Sequence, residues 1–357
     1  MALALTLGRR GLGRAWPNPA VGAVVVNNGF IVGRGWTQPG GRPHAETEAL
    51  GRAGAQARSG TLYVTLEPCS HSGKTPPCTD AVIEAGIARV VSALADPNPL
   101  VAGAGHWRLA ERGIEVKVGL AAQEARRAHA GHIRRMQEGR PHVTLKIALS
   151  GDEKVALSGR RPAVITSGRS RNRVHLMRAM NDAVLTGIGT ALADDPLLTC
   201  RLPGMHSPVR VVLDRQLRLP LGARLVASAQ AVPLWVITGE SAPAERERAL
   251  KIRGIDVQRV GAVGGRLDLV AALALLAKRG ITRLMVEAGP ILAASLVRAD
   301  LVDEAALFRS RVPIGADGID ALDGQPLTAL TSSPQLKRLA SQTVGDDTLE
   351  MFERPLL

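Results

Sequence analysis

His44 and Glu46 stand at the head of a short apolar run, "PHAETEAL" (43–50), and "EPCSHSGKTPPC" (67–78) supplies Cys69 and Cys78, two of only three cysteines in 357 residues. Imidazole and thiolate are both zinc ligands. One histidine and two cysteines leave a fourth tetrahedral position for water, and such an open position marks a catalytic zinc site rather than a structural one. A carboxylate beside it, Glu46, can carry protons without binding the metal. Within a helix, residues two apart do not share a face, but at a first turn His44 and Glu46 can both enter one pocket. Cys78 follows Pro76-Pro77, and the free N–H groups of a helix start favour a thiolate there.

Taken singly, each residue has an ordinary reading. A loop histidine is usually polar surface, and cysteines are often inert core. Together they form His-x-Glu followed by Pro-Cys…Cys, the pattern of the zinc-dependent base deaminases. The generic pattern spaces its cysteines by two residues, whereas eight lie between Cys69 and Cys78. That insertion, "SHSGKTPP", must loop out and return Cys78 to the metal, and its Ser, Gly and Pro content suits a turn-rich loop. Zinc makes water nucleophilic near neutral pH, and attack on a ring carbon replaces an exocyclic amine by a carbonyl. Glu46 then takes the proton of water and delivers protons to the ring nitrogen and the leaving ammonia.

The elements that must hold these groups alternate between strand and helix. "AVGAVVV" (20–26) and "FIVGRGW" (30–36), joined through Asn27-Asn28-Gly29, read as a hairpin. A helix over 44–58, a strand over 61–67, a helix after Pro77 and a strand over 88–94 follow. A helix near 104–112 and a strand over 114–119 complete an α/β unit, and 121–139 reads as one charged helix ending at Gly139. "RPHVTLKIALS" then begins a new strand, which puts a domain boundary near residue 140, with domains 1–140 and 141–357. The second domain alternates again. Strands are expected at 142–149, 182–187, 209–214, 233–238, 255–260, 282–287 and 303–309, and helices at 168–180, 268–279 and 290–298.

Composition bounds what such domains can do. With 45% hydrophobic and 22% charged residues, the chain has the balance of an ordinary globular protein. No apolar run approaches the ~20 residues that span a bilayer, so no membrane role is expected. "MALALTLGRRGLGRAW" carries its basic residues after its apolar ones, the reverse of a secretory signal, and reads as a cytoplasmic helix. Three cysteines form no disulfide framework, which fits a reducing compartment. The net charge of +13 invites an anionic partner, but the arginines are scattered and aromatics are only 2%. That excludes a base-stacking platform and argues against nucleic acid, leaving phosphorylated small molecules in specific pockets.

Beyond the zinc pattern, the chain resembles the bifunctional riboflavin-biosynthesis deaminase–reductase family. The resemblance rests on "PNPAVGAVVV" (17–26), "PHAETEAL" (43–50), "TLEPCSHSGKTPPCTDA" (65–81) and "DPNPLVAGAG" (96–105). It continues through "KIALSGDEKVA" (146–156), "VLTGIGTALADDPLLTCR" (184–201), "VRVVLD" (209–214) and "VEAGPILAASL" (286–296), so it covers nearly the whole chain. The long cysteine spacing is characteristic of that family. The resemblance implies a cytidine-deaminase-like α/β/α domain followed by a dihydrofolate-reductase-like α/β domain. It implies zinc-dependent deamination of 2,5-diamino-6-ribosylamino-pyrimidinone 5′-phosphate, with one zinc per chain, then reduction of the ribosyl group by NADPH. Asn18 falls where the family contacts the pyrimidine, and His71, Lys74, Asp96 and Asn98 fall on positions that line the substrate site. "DPNP" is also a strong turn sequence, so the turn would present those side chains. In the second domain, Ala148, Thr190, Asp194 and Gly289 fall on the cofactor side, and Arg178, Arg201 and Glu287 on the substrate side.

The residues lend that second site only modest support of their own. Gly187-x-Gly189-Thr190 after a strand suits close approach of a nucleotide, though two glycines are not a dinucleotide fingerprint. "EAGP" (287–290) offers backbone N–H groups to phosphate, and Arg201 suits a sugar phosphate. One departure stands out: where the family reads Ser-x-Asp-Gly-Lys, this chain reads Ser150-Gly151-Asp152-Glu153-Lys154. A positive φ there would strain Glu153 by roughly 1–2 kcal/mol, and its carboxylate could oppose NADPH. An alternative therefore keeps the deaminase and makes the C-terminal domain a non-catalytic substrate-binding or assembly module. Homo-oligomer formation is left open by the sequence.

Overall fold

The hairpin signal at residues 20–36 folds as read, with β1 (Gly22–Asn27) pairing antiparallel with β2 (Phe30–Trp36). In the computed structural model, which describes residues 1–71, 76–99, 101–161 and 163–355, the chain forms two compact units. One comprises Met1–Pro141 with Ala277–Thr282, and the other His142–Leu276 with Arg283–Pro355. Among the described residues, no helix is long and apolar enough to cross a membrane.

The first unit opens with α1 (Ala2–Gly8) and continues after the hairpin with α2 (Ala45–Ala53) and β3 (Thr61–Val64). There follow α3 (Cys78–Glu84), β4 (Arg89–Ser92), α4 (Ala104–Glu111) and β5 (Glu115–Val118). Its sheet runs β2-β1-β3-β4-β5, antiparallel at the hairpin and parallel from β3 onward. Leu5, Val25, Leu62, Val64, Leu66, Val90 and Leu109 fill its core. The expected helix over 44–58 is shorter, passing into a 3-10 turn at Gly54–Ala57. The expected single helix over 121–139 is two, α5 (Ala122–Ala128) and α6 (Ala130–Glu138). At the junction, His129 turns its Nε2 to within 3.0 Å of Thr65 Oγ1 in the core, a contact that helical periodicity does not announce.

Small residues set how closely α2 lies on the sheet. A Cβ at Gly33 would sit 2.1 Å from Ala49 O, and one at Gly35 would sit 2.2 Å from Ala45 O. Only glycine lets the helix backbone rest on β2 at that distance. This close approach fixes the start of α2, where His44 and Glu46 lie.

In the second unit a nine-stranded sheet runs in the order Asp256–Val260, Leu234–Gly239, Val209–Leu213, Ala183–Gly187, Arg283–Glu287, His142–Leu149, Glu304–Arg309, Asp347–Glu353, Lys337–Val344. The first seven are parallel neighbours, and the last two add on antiparallel. The inner parallel strands, such as Ala183–Gly187 and Val209–Leu213, read as near-continuous apolar runs because both faces are covered, whereas the edge strand Asp256–Val260 is mixed. Helices Gly168–Ala179 and Pro290–Arg298 match their expected spans closely. The terminal antiparallel pair falls outside the expected strands: Lys337–Val344 is exposed along nearly its whole length and lacks an apolar alternation.

Candidate active sites

His44 is the N-cap of α2, with extended backbone (φ −71°, ψ 160°), and Glu46 is the second helical residue. The break in conformation between them aims both side chains into one site, which a continuous helix would prevent. Cys69 lies in the loop after β3, and Cys78 is the first residue of α3, directly after Pro77 as N-cap. The ends of the inserted segment close on each other. Cys78 N donates to Cys69 Sγ at 3.3 Å and Thr79 N donates to Cys69 O at 3.1 Å. The chain therefore brings Cys78 back to Cys69, while residues 72–75 of the insertion lie outside the described residues.

His44 Nδ1 is 3.2 Å from Cys78 Sγ and 3.6 Å from Cys69 Sγ, and the three ligand atoms lie within 4.8 Å of one another. Tetrahedral zinc with ordinary bond lengths would separate imidazole nitrogen and thiolate sulfur by roughly 3.6 Å, so the donor set and its spacing fit that metal. The electrostatics are those of a poised site. The thiol of Cys78, with help from His44, lowers Cys69 to about 4 against the opposing effect of burial. Hydrogen bonding to Cys69 holds the proton on Cys78 and raises it. The bond to Cys69 also raises His44. Glu46 is 3% exposed, and burial raises it to about 7, with the charge of His44 opposing.

The expected substrate residues distribute unevenly. Asn18 reaches the site: its amide donates to Gly41 O at 2.9 Å, and the same Nδ2 lies 3.1 Å from His44 Nε2. Asp96 forms a turn by accepting Asn98 N at 2.9 Å, and the same oxygen lies 3.0 Å from His132 Nε2. The "DPNP" stretch is thus a turn tied to α6. His71 is exposed in the loop after Cys69, and Lys74 lies outside the described residues.

In the second unit a cavity of about 960 Å³ opens at the carboxyl ends of four parallel strands. Ala148, Thr190, Asp194, Gly289, Arg178 and Glu287 all line it. Ligands of parallel α/β sheets bind in that position. Gly187 and Gly289 are the N-caps of the helices Ile188–Asp194 and Pro290–Arg298, so no side chain projects at those two points of the wall. Gly289 N donates to Thr190 Oγ1 at 2.9 Å, so this N–H serves the protein rather than a phosphate. Arg178 grips Glu287 with two bonds, Nε to Oε1 at 2.5 Å and Nη2 to Oε2 at 2.8 Å. Burial pushes Glu287 up, but Arg178 outweighs it and holds the carboxylate below its ordinary value. Arg201 is exposed and is not among the lining residues, although Arg178 and Glu287 act on its charge.

Sequence reasoning passed over Lys146, which lines the same cavity. Burial lowers it below the ordinary lysine value, with Glu287 opposing. The signal was present: Lys146 interrupts the apolar run of a buried strand between Leu145 and Ile147. It also passed over Arg215, Arg218 and Arg266, three cations on the cavity wall. Glu153 adopts the left-handed backbone that its sequence context raised, φ 62°. Its carboxylate turns to Arg309 at 2.7 Å and does not line the cavity, so it presents no charge to a ligand there.

Comparison with known proteins agrees with this geometry. Residues 1–94 match the cytidine and deoxycytidylate deaminase zinc-binding region, and residues 141–349 match the RibD C-terminal domain. The chain is 41% identical over 362 residues to riboflavin biosynthesis protein RibD of Escherichia coli, covering 97% of this chain and 96% of that one. The solved RibD of Acinetobacter baumannii superposes with a TM-score of 0.87 at 34% identity, covering 99% and 98% of the two chains. A Thermotoga maritima structure described as diaminohydroxyphosphoribosylaminopyrimidine deaminase/5-amino-6-(5-phosphoribosylamino)uracil reductase gives 0.85 at 35% identity, covering 99% and 97%.

Proposed function

This chain belongs to the RibD family of bifunctional riboflavin-biosynthesis enzymes, deaminase and reductase in one polypeptide, and we propose how its residues divide the two reactions. The observation that carries the first assignment is Glu46, buried beside the convergent His44, Cys69 and Cys78. One zinc per chain, held by those three, supplies Lewis-acid activation of water. Glu46 accepts the proton of that water and returns protons to the pyrimidine nitrogen and the departing ammonia. Burial favours the neutral form of Glu46, which suits a group that must hold a proton between accepting and returning it. Asn18 holds His44 from behind and meets the ring edge, and the 96–98 turn presents Asn98 to the same ring. Of the two residues assigned to the substrate between the cysteines in sequence, His71 and Lys74, the lysine carries the charge that suits its phosphate. A reducing, cytoplasmic compartment is the setting that would keep Cys69 and Cys78 available to the metal.

The second cavity takes NADPH, which supplies hydride to the sugar carbon of the deaminated ribotide. Ala148, Thr190, Asp194 and Gly289 hold the cofactor, and Arg215, Arg218 and Arg266 supply positive charge for its extra phosphate. Arg178 fixes Glu287, and Arg201 meets the substrate phosphate from outside the cavity wall. Lys146 protonates the ring oxygen of the ribosyl group as the ring opens, leaving a ribityl chain. Glu153 no longer supports a non-catalytic second domain, because its charge is neutralised by Arg309 away from the cavity.

Purified protein given the diaminopyrimidine ribotide and NADPH tests the scheme by product mass. Exchange of amine for carbonyl adds about 1 Da, and net addition of two hydrogens about 2 Da more. A product stopping after the first gain, with no NADPH oxidised, would refute the reductase assignment.

A further inference from the structure

Glu67 precedes Pro68 and Cys69, yet its carboxylate does not face the metal ligands. Its side chain is 0% exposed. Oε2 accepts Asp96 N at 2.9 Å and Gly103 N at 3.0 Å, while Oε1 accepts Gly105 N at 2.8 Å and His106 N at 3.3 Å. A buried carboxylate needs such donors to offset its lost hydration. All four come from one segment, residues 96–106, which contains the turn bearing Asn98 and the first turn of α4.

A second observation shows that this segment is built to receive the Glu67 loop. A Cβ at Gly105 would lie 2.1 Å from Pro68 O, so the start of α4 rests directly on the Pro68–Cys69 peptide. Arg108, one turn along α4, pairs with Asp80 of α3 and donates to Ser70 O at 3.4 Å. The backbone that carries Cys69 and the backbone of the 96–106 segment therefore share Glu67 as their common anchor.

We propose that Glu67 is a positioning residue for the deaminase reaction, fixing the 96–98 turn at the height at which it meets the pyrimidine. The proposal rests on the reading that this turn contacts the ring. Glu67 acts on substrate binding and not on zinc, because its four backbone donors all belong to the 96–106 segment and none to the Cys69–Cys78 loop.

Glu67→Gln tests this. An amide has one acceptor oxygen, so its NH2 must face either the 96/103 pair or the 105/106 pair of N–H donors. The expected result is a rise in deaminase KM of about 10- to 100-fold with kcat little changed, since binding geometry alone is lost. Zinc content and reduction of the supplied deaminated ribotide should match the parent protein. A fall in kcat at unchanged KM, loss of zinc, or parental kinetics would each overturn the proposal. Gly105→Ala, which leaves Glu67 intact but lifts α4 from Pro68, should give the same KM-weighted change, and it decides the matter if Glu67→Gln does not fold. Asn98→Ala separates the underlying reading from the inference. An unmoved KM in that variant would show that the turn does not meet the ring and would remove the proposal with it. A raised KM there with a parental Glu67→Gln would overturn the role of Glu67 alone.

Discussion

Burial acts in opposite directions on two acid–base groups, raising Glu46 to about 7 and lowering Lys146 below its ordinary value. In both cases desolvation disfavours the charged form. Glu46→Gln keeps the shape but cannot accept the proton of water, so deamination should fall at least ~100-fold with zinc retained by elemental analysis. Near-normal turnover would assign the proton transfer to another group. As the proposed donor, Lys146 would act from its protonated form, so reduction should decline as pH rises through its lowered pKa. The alkaline midpoint should therefore lie below the ordinary lysine value of about 10.4. Lys146→Met should cut the rate by ~10²–10⁴ and abolish that limb; an unchanged alkaline limb would identify a different donor. Glu153 carries a third expectation. Because it pairs with Arg309 outside the cavity, Glu153→Gly should leave the KM for NADPH unchanged. A marked fall in KM would restore its carboxylate as an obstacle to the cofactor.

Elements place these residues, and the start of α2 depends on two glycines of β2. Gly35→Ala puts a methyl group 2.2 Å from Ala45 O, next to His44 and Glu46. Overpacking of this kind costs about 1–3 kcal/mol, and zinc affinity should fall with it. A methyl group added at Gly51, in α2 itself, would meet nothing within 4 Å. Gly51→Ala should therefore stabilise the helix by ~1 kcal/mol and leave zinc binding alone. Thermal unfolding and zinc titration of the pair check the contrast; equal effects would deny the close approach its role. The parallel strands, hairpin and zinc ligands were legible because each rests on local chemistry, in apolar runs, turn residues or ligand types. Lys337–Val344 was not, since an exposed edge strand has no buried face to pattern its sequence. The short helix Ile188–Asp194 was missed as well, hidden within the motif that supplies the cavity wall. Glu67 was read only as part of a motif, because its four donors come from a segment distant in sequence.

Each of the two units has a hydrophobic core of its own. One gathers Leu5, Leu62 and Leu109 within the first unit, and the other gathers Val184, Leu234 and Phe308 within the second. The zinc ligands lie in the first unit, and every residue lining the 960 Å³ cavity lies in the second. No ligand to the metal is shared with the cavity, so the reductase chemistry needs nothing that zinc supplies. Removing zinc by chelation should abolish deamination while NADPH-dependent reduction of the supplied deaminated ribotide continues at its parental rate. Adding zinc back should restore the first activity without changing the second. The measurement is NADPH oxidation by the metal-free protein, followed alongside its zinc content. Loss of both activities together would mean that the metal supports the fold of the whole chain, because a zinc site that contributes folding energy takes its structure with it when emptied.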